Sequence, residues 1–321
     1  MKTFHIRFYE NRKIYFAISL GLMAIGLIFN IIFGTQLDIQ FTGGALIKYS
    51  YTGTIDQEKV QDIVQSTTNK PVTVNINEDV KSANDGKAIN NVSISFSGTE
   101  SLTVEHQQAV AAALAKEYPN AKFAVVESSS VNPVMGRDFF FKCLLSVLVA
   151  ALLLIVYIAF RFKKIGGASA GAMAIIALLH DVTMVYFTFV IFRMPINDNF
   201  IAVVLTILGY SLNDTIIIYD RIRENRKLMG PKADYGTLVD TSINQTLTRS
   251  LYTAACTFAA IAVVYIVSVM YNLDSVQTFA LPMMVGIITG CYSSICIAGP
   301  LYVMWQKHKQ QKKQQAAASS R

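Results

Sequence analysis

The sequence predicts an α-helical integral membrane protein: six transmembrane helices plus one extracytoplasmic α+β domain with a ferredoxin-like βαββαβ order. Three observations predict it. The 321 residues are 53% hydrophobic and only 15% charged, too few charges for a soluble domain of this length. Six apolar windows, 14–33, 139–160, 165–192, 199–219, 251–270 and 279–305, can each cross a hydrocarbon core of about 30 Å at about 1.5 Å per residue. Between the first two windows, the apolar pattern changes to short strand-like alternations and amphipathic helices.

Residues 1–13 form a basic N-terminal segment, and 14–33 the first span, apolar except for Ser19 and Asn30. This span is longer than a signal-peptide core, and the following Gly34-Thr35-Gln36-Leu37-Asp38 lacks a small-x-small cleavage pattern, so it reads as a retained anchor. Residues 34–136 form the outer domain. A strand is expected at 45–51, then a helix at 56–68 with Val60, Ile63 and Val64 on its apolar face. Alternation marks strands at 71–77 and 92–96, a helix follows at 103–118, and 122–127 is the last strand. At about 90 residues this domain can hold its own core, although its fold alone says little about function. The stretch "ESSSVNPVMGRD" then leads to span two, and its breakers suit either a hinge or an ordinary connector. Residues 137–306 carry spans two to six, with a charged loop at 220–248 in which 236–245 can form an interfacial helix. The basic, low-complexity tail 307–321 reads as disordered.

Lys and Arg orient the chain. Lys2, Arg7, Arg12 and Lys13 precede span one, and Arg161, Lys163 and Lys164 follow span two. Arg221, Arg223, Arg226, Lys227 and Lys232 follow span four, and Lys307, Lys309, Lys312 and Lys313 follow span six. The alternate short loops hold Arg193 or no base, so both termini are expected in the cytoplasm. The net charge of +7 then reflects topology and not nucleic-acid binding. The basic tail suits anionic lipids at the cytoplasmic face, at roughly 1 kcal/mol per residue. Cys143, Cys256, Cys291 and Cys296 all fall inside spans and read as packing residues. His5, His106 and His308 are scattered, so neither a metal nor another cofactor is expected. No phosphate loop, nucleophile elbow or HExxH occurs, which disfavours nucleotide hydrolysis and leaves an ion gradient as the energy source.

The spans carry polar residues that need an explanation. On a helical wheel, Ala202, Thr206, Gly209, Tyr210, Asn213 and Asp214 gather on one arc of span four, with Ser211 at its edge. Ile201, Val204, Leu205, Leu208, Leu212 and Ile216 lie opposite, so the first arc is expected to face helices and the second lipid. In span five, Arg249, Thr253, Cys256, Thr257 and Ala260 form a similar stripe. These spans are antiparallel, so Asp214 and Arg249 enter the membrane from one side and are placed to meet. A charge at mid-span costs at least about 2.5–3.5 kcal/mol. Asp214 can escape that cost by pairing or by taking a proton, whereas Arg249 stays charged. The pair reads as an asymmetric switch, and the alternative is a fixed bridge that sets helix register. His180 and Asp181 raise the same question in span three, nearer the outer face. Adjacent on a helix, they point in two directions and do not read as a ready-made relay. Gly167/Gly171 and Gly286/Gly290 are GxxxG pairs suited to close helix contact, and Pro282, Gly299 and Pro300 suit a kink in span six.

"GYSLNDTIIIYDRIREN" at 209–225, "NQTLTRSLYTA" at 244–254 and "FTGG" at 41–44 complete the pattern. With the six spans and single outer domain, they make residues 10–306 resemble the SecF family. That family is the smaller half of the SecDF protein-export complex, within the resistance-nodulation-division superfamily. The resemblance implies the bacterial cytoplasmic (inner) membrane, with SecD and the SecYEG channel as partners. It also implies release of exported polypeptides on the outer side, driven by protons of the proton-motive force. By the same resemblance Asp214 carries protons beside Arg249, supported by Asn213, Thr215, Ser211 and Tyr210, with Asp220 and Arg221 at the motif's cytoplasmic end. Phe41, Thr42, Gly43, Gly44, Pro133 and Gly136 stand at the outer domain's junctions. Two positions depart from the family: Gln40, where Asp is frequent, with Asp38 two residues earlier, and Asn132, where Gly is frequent. Three rival readings are an efflux half-transporter of the superfamily, a non-titrating structural scaffold and a membrane-embedded hydrolase. Efflux pumps usually carry two six-span halves in one chain, and a hydrolase lacks a second carboxylate or serine nucleophile spaced to assist.

Overall fold

A computed structural model describes residues 6–70, 72–77, 90–97, 104–161, 167–230, 233–271 and 273–319. The polar loop 78–89, the starts of the second strand and fourth helix at Pro71 and Thr103, and Lys2, His5, Lys163, Lys164 and Lys232 lie outside them.

Six helical segments among these residues are long and apolar enough to cross a membrane. They are α1 (Arg12–Phe33), α5 (Pro133–Arg161), α6 (Gly167–Ile191), α7 (Asp198–Met229), α8 (Tyr235–Tyr271), and a last one in three parts. The last runs as α9 (Asp274–Ser293), a five-residue π turn (Ser294–Ala298) and α10 (Gly299–Ser319). α6, α7 and α9 form the interior, packed around Phe189, Val203, Ile207, Ile218, Tyr219 and Ile287, while α1, α5 and most of α8 present apolar side chains outward. Glycines set the close approach of α9 to α7. A Cβ at Gly286 would stand 2.6 Å from Ile207 Cδ1, and one at Gly290 would stand 3.1 Å from Ser211 Cβ.

Between α1 and α5 lies a small α+β domain: α2 (Ile39–Thr42), β1 (Gly44–Tyr51), α3 (Gln57–Thr68), β2 (Thr73–Asn77), β3 (Asn90–Ser97), α4 (Val104–Glu117) and β4 (Ala124–Val131). Its sheet is antiparallel in the order β2-β3-β1-β4, with Ile47 opposite Ile94 and Val74 opposite Ile94. Strand alternation turns Ile47, Tyr49, Val92, Ile94 and Phe96 onto Val60, Val64, Val110 and Leu114 of the two helices. Asp56 caps α3 by accepting from the Glu58 N–H at 3.0 Å, and Asn69 ends it in the left-handed region.

Three connections differ from expectation. Glu127 to Val131, expected as connector, continue β4 against Lys48 to Gly44, because the backbone ladder outweighs the weak strand preference of three serines. Asn132 then caps α5, accepting from the Val134 N–H at 3.0 Å, with Pro133 as first helical residue, so span two starts before 139. Most of the expected loop 220–248 is helix: α7 runs on to Met229, Gly230 has φ 81°, and Asp234 caps α8 through the Gly236 and Thr237 N–H groups. The tail is not disordered but helical to Ser319, as its Lys, Gln and Ala content favours.

At the end of the bundle bearing the termini, the Ile6 N–H reaches Asn244 Oδ1 at 3.0 Å and the Tyr9 N–H reaches Asp240 Oδ1 at 2.9 Å. Lys307 pairs there with Asp234 at 3.0 Å. At the domain end, the Ile196 N–H donates to the Gln36 carbonyl at 2.8 Å and the Asp38 N–H to the Ile196 carbonyl at 3.0 Å. Leu37 and Ile196 thereby form a parallel bridge between the root of the domain and the start of α7.

Candidate functional site

α7 shows which face of a membrane helix is protein-facing. Val204, Leu208 and Leu212, expected on the lipid side, are buried with Ile207, Ser211, Asp214, Thr215 and Ile218. Ala202, Thr206, Gly209 and Asn213, expected inside, are exposed. Within this chain both arcs therefore meet other helices in part: Leu208 and Leu212 pack inward with Asp214, because lipid and protein interior are equally apolar and hydrophobicity does not separate them. In α8, Thr253, Cys256 and Ala260 also face outward, and the buried positions of that turn are Thr246, Leu247 and Ser250.

Asp214 lies on the buried side at 2% exposure. The Ser250 hydroxyl lies beside it, yet neither Asp214 Oδ2 nor Ser250 Oγ has a hydrogen-bond partner among the described residues. The ion pair expected with Arg249 is not formed: no Asp214–Arg249 contact falls within bridging distance, and Arg249 is exposed. Successive helical residues diverge by about 100°, so with Ser250 turned inward Arg249 points away. It lines a cleft of about 460 Å³ with Ile217, Asp220, Arg221, Arg223, Glu224, Lys227 and Thr246, and acts on Asp214 only through space.

The remaining motif residues have separate places. Thr215 Oγ1 bonds the Ser211 carbonyl at 3.2 Å and meets Ser294 Oγ at 2.9 Å, while Asn213 is exposed and Tyr210 half-buried beside Asp214. Asp220 pairs with Arg161 at 2.6 Å and Arg223 at 3.2 Å; Arg221 donates to Gln245 at 2.6 Å and pairs with Glu224 at 2.5 Å.

The junction residues come together around α2. Phe41 is buried against Phe139 and Phe140, with ring centroids 5.7 and 5.3 Å away. Gly43 and Gly44 adopt φ of 72° and 138°, which favour glycine, and a Cβ on Gly136 would stand 2.7 Å from the Gly43 nitrogen. Thr42 Oγ1 donates to the Asp38 carbonyl at 3.2 Å. Asp38 caps α2 by accepting from the Gln40 N–H at 2.9 Å, and its burial pushes the carboxyl above the ordinary range. Gln40 Oε1 in turn accepts from the Asp198 N–H at 3.4 Å, so Gln40 joins the domain root to α7.

His180 and Asp181 do not point apart. His180 Nδ1 meets Asp181 Oδ1 at 3.0 Å, and both are buried, Asp181 completely. Asp181 Oδ2 also accepts from Ser211 Oγ of α7 at 2.6 Å and from Ser293 Oγ of α9 at 2.7 Å. The carboxyl thus joins three helices where the π turn begins, and Ser294 continues the network to the Ser211 carbonyl at 3.1 Å. π turns often mark functional sites. Sequence reasoning missed Ser250, Ser293 and Ser294, although consecutive serines in the middle of an apolar span are a usable signal. No cluster of His, Cys, Asp and Glu that could hold a metal occurs among the described residues.

A family profile described as "Protein export membrane protein SecD/SecF, C-terminal" matches residues 110–308. The chain is 29% identical over 310 residues to protein translocase subunit SecF of Sebaldella termitidis, covering 97% of this chain and 95% of that protein. It is 32% identical over 292 residues to SecF of Helicobacter pylori, covering 90% and 83%. A solved Thermus SecDF, described as a translocon-associated membrane protein, superposes with a TM-score of 0.76 at 28% identity. That likeness covers 94% of this chain and only 39% of the larger SecDF chain. These matches run through both the span-four motif and the helix bundle that buries it, and the chain belongs to the SecD/SecF family of protein-export membrane proteins.

Proposed function

We propose that this chain is an accessory subunit of protein export that works with SecD and uses the proton-motive force to help polypeptides leave the SecYEG channel on the outer side of the membrane. The names of its relatives support the export role. The proton role rests on one observation: Asp214 is buried within the span bundle, with Oδ2 unpartnered. A carboxylate there is costly when charged, so proton uptake changes its balance with Ser250 and with the through-space pull of Arg249.

The Lys and Arg distribution supports placing the termini in the cytoplasm and residues 34–136 outside, with the basic α10 tail near anionic headgroups. The β2-β3-β1-β4 order supports a ferredoxin-like reading of the outer domain. The outward stripes of Thr206, Gly209 and Asn213 on α7 and of Thr253, Cys256 and Ala260 on α8 are polar and small, as helix contacts require, and suit packing on SecD helices. No hydrolytic step is assigned to this chain.

Asp214→Asn keeps size and most hydrogen bonding but cannot titrate. Expected is loss of gradient-dependent secretion in cells, with SecD still co-purifying. Unimpaired secretion would leave the scaffold reading in its place.

A further inference from the structure

We propose that His180 and Asp181 form a second proton-binding site in the helix bundle, about one helical turn nearer the α+β domain than Asp214. Its part in coupling rests on the proton role proposed for Asp214; its capacity to bind a proton does not.

The geometry builds the site around Asp181. Both carboxyl oxygens have donors within reach: Ser211 Oγ at 2.6 Å and Ser293 Oγ at 2.7 Å on Oδ2, and His180 Nδ1 at 3.0 Å on Oδ1. An ionised carboxylate is an acceptor only, and this arrangement supplies what it accepts. No Lys or Arg lies within ion-pair distance of Asp181 among the described residues, so neutralising its charge falls to His180. With Nδ1–H donating to Asp181, the other ring nitrogen is the basic one. His180 Nε2 is buried and has no hydrogen-bond partner among the described residues, although the ring is only 7% exposed. With Asp181 ionised, a proton on Nε2 makes the two side chains a neutral imidazolium–carboxylate pair.

The other titratable groups near the pair are few. α7 presents Tyr210 and Asp214, α9 presents Cys291 and Tyr292, and the π turn presents Cys296. Tyr15 of α1 receives the Tyr292 hydroxyl on its carbonyl at 2.6 Å. α5 lies along α6 beside the pair, with the apolar Ala151, Leu154, Ile155 and Ile158 facing Leu178, Leu179 and Val182, and α10 meets the start of α6 through Gln306 and Ser169. Of the acids on α7, Asp198, Asp214, Asp220 and Glu224, Asp214 is nearest in sequence to Ser211, and the two sites share that helix, with Ser211 bonded to one and Asp214 itself the other.

The test uses the full chain labelled with 15N-histidine, assembled with unlabelled SecD in lipid nanodiscs and followed by solid-state NMR from about pH 5 to 9. H5Q/H106Q/H308Q leaves His180 as the single labelled imidazole. The expected result is conversion of His180 from the Nδ1–H tautomer to imidazolium within this range. D181N should move the midpoint down by at least about one pH unit. If D181N does not assemble, S293A serves instead: with one donor lost, the pair holds its proton to higher pH. A His180 that keeps one form throughout, or a midpoint unchanged in the variant, overturns the proposal. Secretion separates the two readings. H180Q should cut gradient-dependent secretion, whereas normal secretion by D214N alongside a titrating His180 would remove the Asp214 reading and leave this site standing.

Discussion

Deleting the two serines that serve Asp181 singly and together measures what the buried carboxyl contributes. Ser211→Ala removes one donor from Oδ2 and Ser293→Ala the other, while His180 keeps its contact with Oδ1. Ser293 Oγ also reaches the Gly290 carbonyl at 3.2 Å, a local helix contact whose loss costs little. If Asp181 is ionised, each deletion removes a hydrogen bond to a charged group, worth about 1.5 kcal/mol at the lower end because one donor remains. The double variant leaves Oδ2 without a donor in the apolar interior, which costs a further amount on the order of 1 kcal/mol beyond the sum. A neutral Asp181 predicts much less, about 0.6 kcal/mol per deletion as for ordinary intramembrane hydrogen bonds, and no surplus. The assay is denaturation of the purified chain by SDS in mixed micelles, followed by helix content, with all four members of the cycle measured together. Single effects of about 0.6 kcal/mol that add within about 0.3–0.5 kcal/mol would refute the ionised assignment.

Other outcomes follow from the same structure. Gly136→Ala places a Cβ 2.7 Å from the Gly43 nitrogen and 3.2 Å from the Gln40 carbonyl, and backbone cannot yield as a side chain does. It should destabilise the joint by about 1–3 kcal/mol, and an unchanged thermal transition would contradict the packing. Asp234 titrates in an acid window: burial pushes its carboxyl up, but Lys307 and the Thr237 and Gly236 N–H groups outweigh that and hold it below its ordinary value. Its contribution is therefore present above the unfolded value of about 3.9 and is lost as pH falls through the lower folded value. Lys307→Ala should flatten the acid-side loss of stability, and an identical acid slope would show that the pair is not coupled to folding. Arg249→Lys keeps the charge at the cleft but not the guanidinium fork, so secretion should fall part of the way. Full activity would reduce Arg249 to a generic cation.

The parts legible in the sequence are those whose signal is local. The strands at 44–51 and 90–97 and the helix at 57–68 follow from alternation and a capping aspartate, and the spans from length and hydropathy. Connections are less legible, because a charged segment such as 220–229 has the composition of a loop and yet prolongs a helix already nucleated in the apolar span. The site was half legible. Asp214 stood out as a charge in an apolar run, but its neighbour could not be read from spacing, since Ser250 and Arg249 differ by one position and the rotation of α8 decides between them. Asp181 was undervalued for a similar reason. Its partners come from α7 and α9, at positions 211 and 293, and no periodicity within α6 reveals them.

The attachments of α7 join the proposed proton sites in the bundle to the α+β domain. Its leading residues are tied to the domain root through Ile196 with Gln36 and Asp38, and through Asp198 with Gln40. Its middle is tied to α6 by Ser211 and to the π turn by Thr215, and its far end to α8 by Asn225 with Ser242 at 2.9 Å. The domain has two roots, residues 36–44 and 131–136, and they lead into β1 and β4, which are neighbours in the sheet. Phe41 and the Gly43–Gly136 contact press the same two roots together. A shift of α7 therefore reaches both roots through hydrogen-bonded backbone and packed rings, with no slack connector between. Separating the roots would break the β1–β4 ladder, whereas turning them together breaks nothing. Under the proton roles proposed for Asp214 and Asp181, the response that keeps these contacts is thus rotation of the whole domain as one body.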